Sequence, residues 1–130
     1  MSFIKSFVVK RFLLFIFLFP ILFSGCEKDT SDERIYSVLV GKWIKTASNC
    51  DGGSWFDFKS DGTYDEFDGC ATVMRENAGK WRIENQQLYI KAKVYPIDVP
   101  YSFYYLSTTE MIIVMGKIAP SKPQIKYRKD

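Results

Sequence analysis

The chain has 130 residues, 18 basic and 15 acidic side chains, three cysteines, no histidine and 17% aromatic residues. The lack of histidine excludes Ser-His-Asp and Cys-His catalysis, the usual imidazole-based zinc sites and histidine pH switching. The surplus of three positive charges lies wholly in Lys5, Lys10 and Arg11, so residues 26–130 are neutral overall and present no basic field for nucleic acid.

The chain opens MSFIKSFVVKRFLLFIFLFPILFSGC. Three cations precede an apolar run from Phe12 to Phe23, and Ser24-Gly25 follow. This is the order of a secretory signal, in which about 7–15 apolar residues separate a positive start from small residues at a cleavage point. So short a run, broken by Pro20, falls below the roughly 20 residues that span a bilayer. The segment Phe23-Ser24-Gly25-Cys26 resembles the lipobox of bacterial lipoproteins, with Phe23 where that family usually has Leu. The resemblance implies a signal peptide over 1–25, cleavage before Cys26, lipid on that cysteine, and a place in the cell envelope at the outer membrane. An uncleaved membrane anchor and an ordinary cleaved signal are the alternatives. With Cys26 lipidated, Cys50 and Cys70 remain in an oxidising setting, where pairing is the default. Two reduced thiols are the alternative to that bridge.

Glu27-Lys28-Asp29-Thr30-Ser31-Asp32-Glu33 is polar and lacks core-forming residues, so 26–33 reads as a flexible tether. It resembles the acidic stretch behind the lipidated cysteine in surface-exported lipoproteins of the Bacteroidetes, which implies outward display. Residues 34–130 suit one small domain. Ser31-Asp32-Glu33 can cap a short helix that carries Ile35, Val38 and Leu39 on one side. From Gly41 onward, brief apolar or alternating runs predict strands over 42–47, 54–59, 63–67, 79–84, 87–95, 101–106, 111–116 and 124–128. Asp61-Gly62, Glu84-Asn85-Gln86 and Ser107-Thr108-Thr109 mark turns, while Pro96, Pro100, Pro120 and Pro123 fall between strands. The expected fold class is all-β: a small eight-stranded antiparallel meander, closed into a barrel that leaves no exposed edge, with a short N-terminal helix.

Alternation assigns faces. Phe56 and Phe58 oppose Asp57 and Lys59; Trp81 and Ile83 oppose Lys80, Arg82 and Glu84; Leu88, Ile90, Ala92 and Val94 alternate with Lys91 and Lys93. The sixth and seventh strands are apolar on both faces. Either the helix or a loop covers the outer one, or it is a protein contact surface.

Gly41-Lys42-Trp43 resembles the Gly-x-Trp motif of lipocalins. The later Asp61-Gly62-Thr63-Tyr64, Gly79-Lys80-Trp81 and Leu88-Tyr89-Ile90 complete a succession similar to small lipocalin-like domains of exported Bacteroidetes lipoproteins, over about residues 38–129. The resemblance implies a lipocalin-like barrel whose bottom Trp43 closes, with cysteines before the second strand and after the third. Trp43 and Trp81 are read as closure residues, because an aromatic at a barrel end buries a large apolar area. The interior of such a barrel is filled by side chains or holds one small ligand. A cavity, if open, is expected among Phe56, Phe58, Tyr64, Leu88, Ile90 and Phe103, for an apolar or aromatic molecule.

Asp57, Asp61, Asp65, Glu66 and Asp68 could form a calcium site, but their spacing is not that of an EF-hand and neighbours on a strand face opposite ways. A solvated hairpin accounts for all five. The expected function is non-enzymatic, with no cofactor and no metal: a membrane-anchored carrier of a small apolar ligand. The alternative is an inhibitor or accessory subunit docking an envelope protein partner through a patch around Tyr104 and Leu106.

Overall fold

A computed structural model describes residues 30–47, 49–50 and 53–130; the signal-like residues 1–25, Cys26 and the first tether residues lie outside this set. Ser31–Asp130 is a compact unit in itself. Helix α1 (Thr30–Leu39) precedes β1 (Gly41–Lys45), β2 (Ser54–Phe58), β3 (Thr63–Asp68), β4 (Val73–Glu84), β5 (Gln87–Ala92), β6 (Asp98–Leu106), β7 (Glu110–Met115) and β8 (Ile125–Lys129). Each strand pairs antiparallel with its successor, and β1 pairs with β8 through Trp43↔Lys129, Ile44↔Arg128 and Lys45↔Tyr127. The expected all-β meander barrel is therefore closed, and its unit carries its own complete sheet and core.

Four details depart from the sequence reading. Thr30 to Glu33, expected to belong to the tether, form the first turn of α1. Asp32 does not spend its carboxylate on its own helix; it accepts the backbone N–H groups of Asn85 (3.0 Å) and Gln86 (2.8 Å) and so ties α1 to the β4–β5 turn. Strand β4 begins six residues before the expected 79, at Val73. A bend conceals the strand: Asn77 takes φ 47° and donates its N–H to Asp65 Oδ1 at 2.8 Å, while the register passes from Gly79 opposite Tyr64 to Arg75 opposite Glu66. Gly79 is obligatory there, since a Cβ would lie 2.1 Å from the Lys91 carbonyl oxygen.

The fourth is Pro100, which lies inside β6 rather than between strands, paired with Tyr89. Its carbonyl accepts the Gly116 N–H at 2.8 Å, and the return bond to the Gly116 carbonyl is the one a proline cannot make. The Ser102 hydroxyl donates to that carbonyl instead, and itself accepts from Gln87 Nε2 at 3.0 Å. A side chain two residues along has replaced the missing backbone donor.

Inward alternation builds the core from Leu39, Trp43, Phe58, Tyr64, Trp81, Leu88, Ile90, Met111, Ile113 and Tyr127. On the opposite face of β7, Val114 is only 1% exposed although it stands outside that cluster. Tyr104 and Tyr105, at an irregularity in β6, stay exposed.

Candidate functional site

The two ends of the barrel differ. At one end α1 lies across the opening and seats Leu39 in the core. Trp43, fully buried, donates its indole N–H to the Leu39 carbonyl at 2.8 Å. Trp81 stacks on Tyr36 (centroids 4.3 Å apart, 15° between planes) and donates to the Lys59 carbonyl at 3.1 Å, while the Tyr36 hydroxyl donates to the Ser60 carbonyl at 2.8 Å. Both tryptophans thus sit where helix meets barrel. Lys129 Nζ donates to the Val38 carbonyl at 2.6 Å, and burial pulls its pKa down.

Of the six residues expected to line a cavity, Phe58, Tyr64, Leu88 and Ile90 are buried in the packed core, with rings in mutual contact (Phe58–Trp81 5.0 Å, Phe58–Tyr64 6.3 Å between centroids). Phe103 fronts a shallow groove of about 370 Å³ between α1 and the β6–β7 turn, beside Ile35, Val38 and Leu106. Only Phe56 reaches the larger cavity.

That cavity, of about 440 Å³, opens at the end opposite α1. Lys45, Phe56, Glu66, Asp68, Arg75 and Tyr127 line it, together with the β1–β2 loop and the β3–β4 turn. Cys50 and Cys70, at disulfide distance with Cα atoms 4.9 Å apart, join that loop to that turn and fix the rim. Arg75 Nη1 meets Glu66 Oε1 at 2.9 Å, an ion pair reaching into the mouth from β4 and β3. Desolvation pushes the Tyr127 phenol well above its ordinary pKa and raises Tyr101, beside the negative charge of Glu66; burial moves Tyr64 up to about 12. Tyr127 lines the mouth as a neutral phenol, and the charge there is supplied by Lys45, Arg75, Glu66 and Asp68.

The five clustered carboxylates are dispersed among separate tasks. Lys59 bridges Asp57 (2.6 Å) and Asp65 (3.3 Å) on the outer surface, and the bond to Asp57 raises its pKa. Asp61 Oδ1 accepts the N–H (2.9 Å) and hydroxyl (2.6 Å) of Thr63, which holds the Asp61 pKa down. Asp68 Oδ1 accepts the Cys70 N–H at 3.0 Å. Among the described residues no three His, Cys, Asp or Glu side chains converge to hold a metal ion.

Sequence reasoning passed over Lys45, Arg75 and Tyr127 as site residues and assigned Glu66 to a solvated hairpin. Glu66 was legible, because alternation from Tyr64 turns it inward while Asp65 turns outward. Arg75 was not, since it lies between the expected strands 63–67 and 79–84, outside any alternating run. No protein-family model, curated protein or solved structure matches this chain.

Proposed function

We propose that this chain is a lipid-anchored envelope protein whose barrel binds one small amphipathic molecule in its mouth, without catalysing a reaction. The mouth cavity carries the reading. Its volume of about 440 Å³ lies within the roughly 300–1,000 Å³ typical of small-molecule sites. Phe56 and Tyr127 supply aromatic walls, and the Arg75–Glu66 pair with Lys45 supplies a polar corner. An apolar or aromatic body with one charged or polar end fits such a lining. The filled interior beneath keeps the ligand near the rim rather than deep in the barrel.

Titration with anilinonaphthalene sulfonate, an anionic aromatic amphiphile, tests the site. Saturable binding of one molecule per chain is expected, weakened at least tenfold by Arg75→Ala or Phe56→Ala. Binding that never saturates, or that ignores both substitutions, removes the mouth as a ligand site. The anchor has a separate test. The native polypeptide is expected to begin at an acylated Cys26; a chain that begins at Met1 with a free thiol there ends that part of the proposal.

A second reading, a protein-interaction module, is favoured by one observation: Tyr104 and Tyr105 are exposed on β6 near the apolar groove that contains Phe103 and Leu106. Native mass spectrometry of the membrane-purified protein separates the two. A retained small molecule supports the carrier, and a stoichiometric polypeptide lost on Tyr104→Ala supports the module.

A further inference from the structure

The open rim has two halves. The β1–β4 half holds the cavity and the cysteine pair. In the other half the β5–β6 connection (93–97) and the β7–β8 connection (116–124) adjoin, because Tyr101 pairs with Met115 and Gly116 donates to the Pro100 carbonyl at 2.8 Å. From these turns project Val94, Tyr95, Ile97 and Ile118, and from the end of β7 Met115, each between 53% and 77% exposed. Scattered single apolar residues are normal on a protein surface, but four on two adjoining turns, with Met115 at the end of β7 beside them, form a patch that calls for a partner.

The charge around this patch has one sign. Residues 91–97 and 115–122 contain Lys91, Lys93, Lys117 and Lys122 and no Asp or Glu. The next carboxylate along the chain, Asp98, is held by Arg82 at 2.8 Å. Positive charge is thus concentrated locally on a sequence that is neutral from residue 26 onward. Protein-binding patches are depleted in lysine. Exposed apolar tips flanked by lysine, with a tyrosine at the boundary, suit the interface of an anionic bilayer. Pro96, Pro120 and Pro123 stiffen the two turns and reduce the conformational freedom lost on docking. Lys122 adds to this by donating to the Met115 carbonyl at 2.8 Å.

We infer that this half of the rim docks on an anionic lipid surface. Val94, Tyr95, Ile97 and Ile118 enter the headgroup boundary, and the lysines face lipid phosphates. Docking turns the barrel mouth toward the membrane. The inference uses neither the cavity nor Cys26, and it competes with the acyl-anchor reading on a single membrane, because helix α1, which follows Cys26 in the chain, lies at the opposite end of the barrel.

The test takes Thr30–Asp130, which holds α1, the whole closed sheet and the cysteine pair, and measures co-sedimentation with vesicles. Partition onto phosphatidylcholine vesicles containing phosphatidylglycerol is expected to exceed that onto pure phosphatidylcholine at least tenfold, and to fall with added salt. The double variant Lys93→Gln, Lys117→Gln is expected to bind on the order of twenty-fold more weakly, about fivefold per lysine. All four substituted positions used here are surface ones, and near-ultraviolet circular dichroism checks that each variant is folded. Brominated acyl chains are expected to quench the indole added by Ile97→Trp and to spare that added by Tyr104→Trp. Equal partition onto both vesicle types, no partition at millimolar lipid, or quenching of both indoles alike overturns the proposal. So does a stoichiometric protein that occupies this rim and excludes vesicles from it.

Discussion

Trp43 does two jobs at the closed end: it fills the barrel beneath α1, and its indole N–H satisfies the carbonyl of Leu39, the last residue of that helix. Trp43→Ala is expected to lower the unfolding free energy by about 3–5 kcal/mol in urea titration. Trp43→Phe restores much of the ring but strands the Leu39 carbonyl, so a loss of about 1–3 kcal/mol remains. The buried tyrosines set an alkaline limit. Burial holds the Tyr64 phenol neutral until about pH 12, while in the unfolded chain it ionises near the ordinary value of about 10. A raised folded-state pKa means that unfolding releases a proton once pH passes the unfolded value. Stability is therefore level below about pH 10 and falls as pH rises toward about 12. Denaturant melts across this range are expected to show that fall, shallower in Tyr64→Phe.

Elements here are held together by bonds that cross from one to another. Ser102→Ala leaves the Gly116 carbonyl without the donor that stands in for Pro100, and removes the acceptor of Gln87 Nε2. A loss of about 1–3 kcal/mol is expected, with the largest rise in amide exchange at the β6–β7 pairing. The Cys50–Cys70 pair, 20 residues apart, ties the β1–β2 loop to the β3–β4 turn. Reduction, or replacement of both cysteines by Ser, is expected to cost about 3 kcal/mol on the chain-entropy model. It is also expected to weaken probe binding in the mouth, because the bridged segments form part of the rim. Strand β4 shows why its first half escaped notice. Its bend puts Arg75, Glu76 and Asn77 where alternation fails, so the periodic signal resumes only at Gly79.

Residues 31–130 form one closed sheet around one core with a helical lid, and no strand edge is left unpaired among the described residues. Such a unit of about 100 residues is expected to unfold in a single transition. The near-ultraviolet signal of the packed aromatics and the far-ultraviolet signal of the sheet should then disappear together; separate midpoints would mean that α1 and the barrel come apart independently. Hydrophobic alternation, turn dipeptides and the count of short runs were enough to read an eight-stranded meander with a leading helix, because each signal acts over only a few residues. The same local chemistry picked out Trp43 and Trp81 as buried aromatics, whereas the pairing of Cys50 with Cys70 rested on the count of cysteines and the expected oxidising setting. Whether the interior would be hollow was a different kind of question. It depends on the summed volume of side chains sent inward by every strand, and only the assembled barrel shows Phe58, Tyr64, Leu88 and Ile90 closing on one another. The mouth, likewise, brings together Lys45, Glu66, Arg75 and Tyr127 from β1, β3, β4 and β8. Their meeting follows from register, one bend and barrel closure, which are long-range outcomes of packing that no short window of sequence contains.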